Sequence, residues 1–243
     1  MKKFAIFFFF LLFALGIAIY GFLTAPQKVK QVKLEIVKGS GSWKAQISQH
    51  IFPFIKPGEN IGPEEIEYLK ELANSLPWVK KCDIALKNGT LLFRIVEAKP
   101  SLGLFFKGST YFIRDNGFVL AKKDGVYPIS PIYFYKGNSS PFMIENGFTK
   151  LKNLIRMEIA LAKERIKNLN INGMKPKVTI TDIGVNLIFP ETKTIVYLGN
   201  SGNSWNNFIK FYKLINKLTS GVYDFRFSNL LIRGRNQCLN KKF

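Results

Sequence analysis

The chain has 243 residues, with Lys and Arg outnumbering Asp and Glu by 36 to 16 and apolar residues at 47%. That length allows one or two small domains, and the composition allows a packed core. The basic excess is scattered with no block of like charge, which argues against a nucleic-acid partner, since such proteins cluster their cations on one element.

Residues 1–3 form a short basic tail, with Lys2 and Lys3. Phe4 to Leu23 carries no charged residue. Twenty residues at helical rise cover about 30 Å, the thickness of the hydrocarbon core, so a transmembrane helix is predicted over 4–23. A cleaved signal peptide would have a shorter apolar run and a small-x-small site. The candidate at Ala25 instead has Leu23 before it and Pro26 after it. Lys28, Lys30 and Lys33 balance Lys2 and Lys3, so charge alone leaves the orientation open.

A linker over 24–28 leads into Val29–Val37, where Val32, Leu34 and Ile36 alternate with Lys33 and Glu35 as in a half-buried strand. Ser42 is positioned to cap a helix with Trp43, Ile47 and Ile51 on one face. Pro63 opens a second helix, with Glu64 and Glu65 in its first turn. Ile66, Leu69, Leu72, Ala73 and Leu76 make its apolar stripe. Val79–Leu86 and Leu91–Val96 read as a hairpin about Asn88-Gly89. The order strand, helix, helix, strand, strand is that of a POTRA module, expected over 29–100.

A β domain is expected over 101–235. Its strands are predicted at Leu104–Phe106, Tyr111–Arg114, Phe118–Ala121, Ile132–Tyr135, Val178–Thr181, Val185–Phe189, Thr194–Leu198, Tyr223–Phe227 and Leu230–Ile232. Helices are predicted over Leu151–Lys167 and after Ser204. Residues 236–243 form a polar tail. The expected fold class is α+β: one transmembrane helix, a POTRA module, then a mixed sheet rich in antiparallel strands with two helices.

Chemistry is sparse. The single histidine, His50, lies on the first POTRA helix as a surface or half-buried residue. Asp115, Asp124, Asp182 and Asp224 fit turn hydrogen bonding, and no pair of carboxylates must converge. Cys82 reads as a small core residue and Cys238 as incidental, with no C-x-x-C present. No metal site, cofactor or small-molecule substrate is expected, and no enzyme activity. Function is then expected in surfaces, above all at a terminal strand whose open edge can take a foreign strand.

Several segments resemble the bacterial cell-division family FtsQ/DivIB. Ser75-Leu76-Pro77-Trp78-Val79-Lys80 is similar to its Pro-Trp-Val segment. Leu91 to Pro100 resembles its L-x-I-x-V-x-E-x-x-P module end. Tyr111 to Leu120 resembles the hairpin that opens its β domain, and Asp224-Phe225-Arg226-Phe227-Ser228-Asn229 resembles its terminal D-L-R-Y strand. The departures are the three-residue tail, Phe227 for the usual Tyr, Leu230 where a small residue is common, and Arg235 where some members have an aromatic.

The resemblance implies a non-enzymatic divisome scaffold. It implies insertion in the bacterial cytoplasmic membrane with the N-terminus inside and the domains outside, at the septum. It implies FtsB- and FtsL-type bitopic partners, received at Arg226, Phe227, Ser228, Asn229, Leu230, Leu231, Ile232 and Arg233. Two other classes are a POTRA-bearing envelope assembly or secretion component and a membrane-anchored envelope enzyme.

Overall fold

A computed structural model describes residues 11–17, 25–168, 176–199, 202–215, 219–226 and 232–234. By its internal contacts the chain divides into two units, Met1–Ala98 and Lys99–Phe243.

The expected fold class and single-pass location are corrected at the N-terminus. Among the described residues, no helix is long and apolar enough to cross a membrane. Of the span Phe4–Leu23 the described part is a helix over 11–17. The rest of that span, the tail 1–3 and the C-terminal tail lie outside the described residues.

In the first unit, β1 (Gln27–Lys28) pairs with β3 (Asn60–Ile61). A three-stranded sheet has the order β2 (Gln31–Lys38), β5 (Thr90–Glu97), β4 (Val79–Lys87). The central strand β5 is parallel to β2 and antiparallel to β4. Alternation turns Leu91, Phe93 and Ile95 of β5 inward, each fully buried. They belong to a core with Ile47 and Ile51 of α1 (Lys44–Ile51) and Leu69 and Ala73 of α2 (Pro63–Ser75), all buried. Two amphipathic helices on a small sheet make a POTRA-like layer. The hairpin turn has Asn88 and Gly89 both at positive φ, 54° and 74°, as the Asn-Gly pair predicts.

The expected cap is replaced. Ser42 bonds to Ser40 through their hydroxyls, and no side chain caps α1 from its N-cap position at Trp43. Instead the buried carboxylate of Glu97, at the end of β5, accepts the backbone N–H of Gly41 at 2.9 Å and of Trp43 at 3.0 Å. At α2, Glu65 reaches back to the Gly62 N–H at 2.9 Å, satisfying a donor that the helix cannot.

The second unit is built on a nine-stranded sheet. Its strands are β6 (Leu102–Phe106), β7 (Ser109–Ile113), β8 (Val119–Asp124), β9 (Ile132–Tyr135), β12 (Lys177–Thr181), β13 (Gly184–Phe189), β14 (Thr194–Leu198), β15 (Gly221–Asp224) and β16 (Ile232–Gly234). Across the sheet they run β16-β15-β14-β13-β12-β9-β6-β7-β8. A separate hairpin, β10 (Phe142–Glu145) with β11 (Phe148–Leu151), turns on Asn146 and Gly147 at positive φ.

Parallel neighbours require a crossover. Between β9 and its parallel partner β12 lie that hairpin and α3 (Asn153–Asn168). Between β14 and its parallel partner β15 lies α4 (Gly202–Ile215). Both helices contribute to one core with one face of the sheet: Ile155 and Ile159 from α3, Trp205 and Phe208 from α4, with Leu187 and Val196 beneath. Ser204 lies inside α4 and is buried, so the helix starts ahead of the cap expected there.

Candidate functional site

Among the described residues the sheet ends at β16, and hydrogen-bond parity along β15 decides what that edge offers. Gly221 N–H donates to Lys193 O, and Phe225 N–H donates to Tyr197 O, both towards β14. In a strand, alternate residues turn their N–H and C=O to opposite neighbours. Val222 and Asp224 therefore face β16, where their register partners are Gly234 and Ile232. Arg233 stands opposite Tyr223, which faces β14. The N–H and C=O of Arg233 consequently point away from β15, off the edge of the sheet.

The residues before the edge are held by packing. Tyr223 and Phe225 are buried and belong to the core, with Phe211 5.5 Å from each ring and Phe208 5.5 Å from Phe225. Asp224 is 7% exposed and is clamped by Arg226, whose Nε lies 2.9 Å from Oδ1 and 3.0 Å from Oδ2, while its Nη2 bonds Oδ2. The Arg226 backbone N–H also donates to Asp224 Oδ1 at 3.0 Å. The guanidinium stands over the Tyr197 ring on β14, 5.2 Å from its centroid. This places a fixed cation one strand in from the edge.

The Arg226 hydrogen bonds hold the Asp224 carboxyl below the usual carboxylate range. A depressed pKa contributes stability that is fully present above the unfolded value, near 3.8, and disappears as pH falls through the folded value. Asp224→Asn is expected to cost about 1.5–3 kcal/mol at pH 7. The gap to the unmodified protein should close as pH drops below about 4. Thermal melts from pH 7 downward check this, and a gap independent of pH would show that the pair carries no charge-dependent stability.

Of the predicted partner-binding residues, Arg226, Ile232 and Arg233 are placed at this end of the sheet, Arg226 following β15 and the other two in β16. Phe227, Ser228, Asn229, Leu230 and Leu231 lie outside the described residues.

A second edge was not singled out from the sequence. In the first unit β2 is a sheet edge, and beside it runs an open groove lined by Val32, Leu34, Ile36, Lys44, Ser48 and Phe52. Its trace in the sequence is Phe52, which is 36% exposed just past an amphipathic helix.

Several other reactive groups are engaged within the fold. Burial pushes the Cys82 thiol up to about 12, far from a reactive thiolate. His50 Nδ1 sits 2.8 Å from Gln46 O, and its ring is 5.2 Å from that of Trp78. Asp182 accepts the Tyr135 hydroxyl at 2.9 Å and the Asn138 N–H at 2.8 Å, and Asp124 accepts the Ser109 hydroxyl at 2.8 Å. Among the described residues, no three of His, Cys, Asp and Glu gather as a metal site.

No family model matches the chain, and no curated protein matches it. Among solved structures the chain is similar to POTRA1-2 of the periplasmic domain of Omp85 from Anabaena. The likeness has 9% identity and a TM-score of 0.28, over 63% of this chain and 91% of that chain. At that score it carries no argument about function.

Proposed function

We propose that the chain is a non-catalytic docking protein, a division scaffold of the FtsQ/DivIB type that receives a partner strand at β16. The observation that carries the reading is the outward backbone of Arg233 at the end of the described sheet, next to β15, the strand that leads into the anchored Arg226. A backbone edge of this kind provides affinity, and neighbouring side chains select the sequence that docks. The motif resemblance assigns an FtsB-type protein as the docked chain, within a complex that contains an FtsL-type protein. In that role the protein couples septal wall synthesis to assembly of the division machinery.

The groove along β2 supports a second docking surface within the same scaffold reading. Its apolar floor and edge strand suit an extended segment, with Lys44 at its wall.

Depletion of the protein from the cell that makes it is expected to give filaments without septa. Affinity purification of the intact chain is expected to recover a small coiled-coil partner. Normal septation on depletion would exclude the division role. Turnover of wall fragments by the purified protein would exclude the non-catalytic one.

A further inference from the structure

The helices α3 and α4 share a core with one face of the nine-stranded sheet, and strand alternation assigns the other positions to the opposite face. On that second face the register aligns a row across four strands: Lys177 opposite Ile188, Ile188 opposite Ile195, and Ile195 opposite Val222. The three apolar members are half-buried, and Lys177 is exposed. The Lys177 ammonium lies 3.9 Å from the centroid of the Phe134 ring, on the neighbouring strand β9.

The charge on this face is one-sided. Among the described residues, no carboxylate lies within ion-pair distance of Lys177. Asp224, on the same face by alternation, is engaged by Arg226. Partial desolvation, and then repulsion from the nearby Lys136, lowers the Lys177 pKa, and an incoming anion would relieve that repulsion. Lys123 repeats the arrangement further along the sheet, over the rings of Phe112 and Tyr127.

We propose that this face binds an acidic amphipathic helix of a partner protein, laid along the row with its apolar side chains on Ile188, Ile195 and Val222 and a carboxylate on Lys177. The spacing suits it. Neighbouring strands lie about 4.8 Å apart, and a helix advances about 5.4 Å per turn. Successive turns along the row therefore meet successive strands, and one further turn brings a Glu or Asp to the Lys177 ammonium. The row uses a face of the sheet, whereas strand addition uses the outer backbone of β16, so the two surfaces are separable.

The test uses the full chain and a fluorescein-labelled peptide of Glu, Leu and Ala, about 18 residues long so that it holds helix, with Leu at helical spacing. Saturable binding is expected. It should weaken at least about tenfold in Lys177→Glu, the equivalent of about 1.4 kcal/mol. A charge-swapped peptide with Lys for Glu should recover binding to Lys177→Glu, a rescue that general unfolding cannot produce. Arg233→Pro should bind the acidic peptide as the unmodified chain does, which separates this surface from the edge. Equal affinity for Lys177→Glu, no saturable binding, or binding lost in Arg233→Pro would overturn the proposal. So would Lys177-dependent binding to phosphatidylglycerol vesicles without binding to the peptide.

Discussion

Arg233→Pro is expected to weaken partner binding by about one to two orders of magnitude while leaving the sheet folded. The substitution removes one backbone N–H, and parity along β15 and β16 places that N–H on the outer side of the edge. The internal ladder does not use it, and proline is tolerated where a strand's N–H side faces outward. The docked strand, however, would leave a carbonyl unpaired against a ring. An unmade buried hydrogen bond costs about 1–3 kcal/mol, which is about fivefold to 150-fold in affinity. Arg233→Ala keeps the N–H and separates the backbone effect from loss of the guanidinium. Ile232→Pro makes the opposite control. Its N–H faces Asp224, so that variant should damage the sheet itself. Titration of the full chain with a synthetic partner strand, alongside circular dichroism, reads both quantities. Unchanged affinity in Arg233→Pro with an intact spectrum would remove this edge from the mechanism.

That prediction depends on information that no local pattern contains. Whether Arg233 faces outward follows from register, and register here follows from β14 lying parallel to β15 with α4 as the crossover. The sequence does show a strand after the D-F-R-F segment, because alternation and turn residues are local. It does not show the order in which strands lie side by side. The placement of β9 between β6 and β12, parallel to both, is set by packing across residues far apart in the chain. The hairpin at Asn88-Gly89 was legible because both turn residues need positive φ, which Asn and Gly tolerate. The same signal at Asn146-Gly147 marks the turn between β10 and β11, both of whose turn residues are also at positive φ.

The N-terminal span shows a different limit. Apolar composition over Phe4–Leu23 predicts a membrane helix, whereas among the described residues no helix is long and apolar enough to cross a membrane. Capping of α1 differs from the local signal for a third reason. A serine ahead of a helix is a local signal, but a carboxylate some fifty residues away can satisfy the same donors, and only the fold brings it there.

That carboxylate carries the largest expected effect on stability. Glu97→Ala should destabilise the first unit by about 3 kcal/mol or more. Two backbone donors, Gly41 N–H and Trp43 N–H, rest on its two oxygens, and the residue is 4% exposed. A hydrogen bond to a charged group contributes about 1.5–3 kcal/mol, and a donor left buried and unpaired costs a similar amount. The approach is close enough that even the loop residue is constrained. A Cβ on Gly39, which sits at φ +145°, would come within 2.2 Å of Glu97 Oε2. In a unit of this size 1 kcal/mol shifts the thermal midpoint by about 4–8 °C, so a fall of roughly 12 °C or more is expected. Glu97→Gln should recover part of it, since one amide oxygen can still accept one N–H. Hydrogen exchange at Gly41 and Trp43 provides the local reading. Both amides should lose protection in Glu97→Ala, while Leu91 and Phe93 exchange faster only to the extent that the whole unit opens more often. A melt within 2 °C of the unmodified chain, with those two amides still protected, would mean that other acceptors hold the start of α1. The E-x-x-P ending that resembles the family motif would then be a sequence likeness without this structural role.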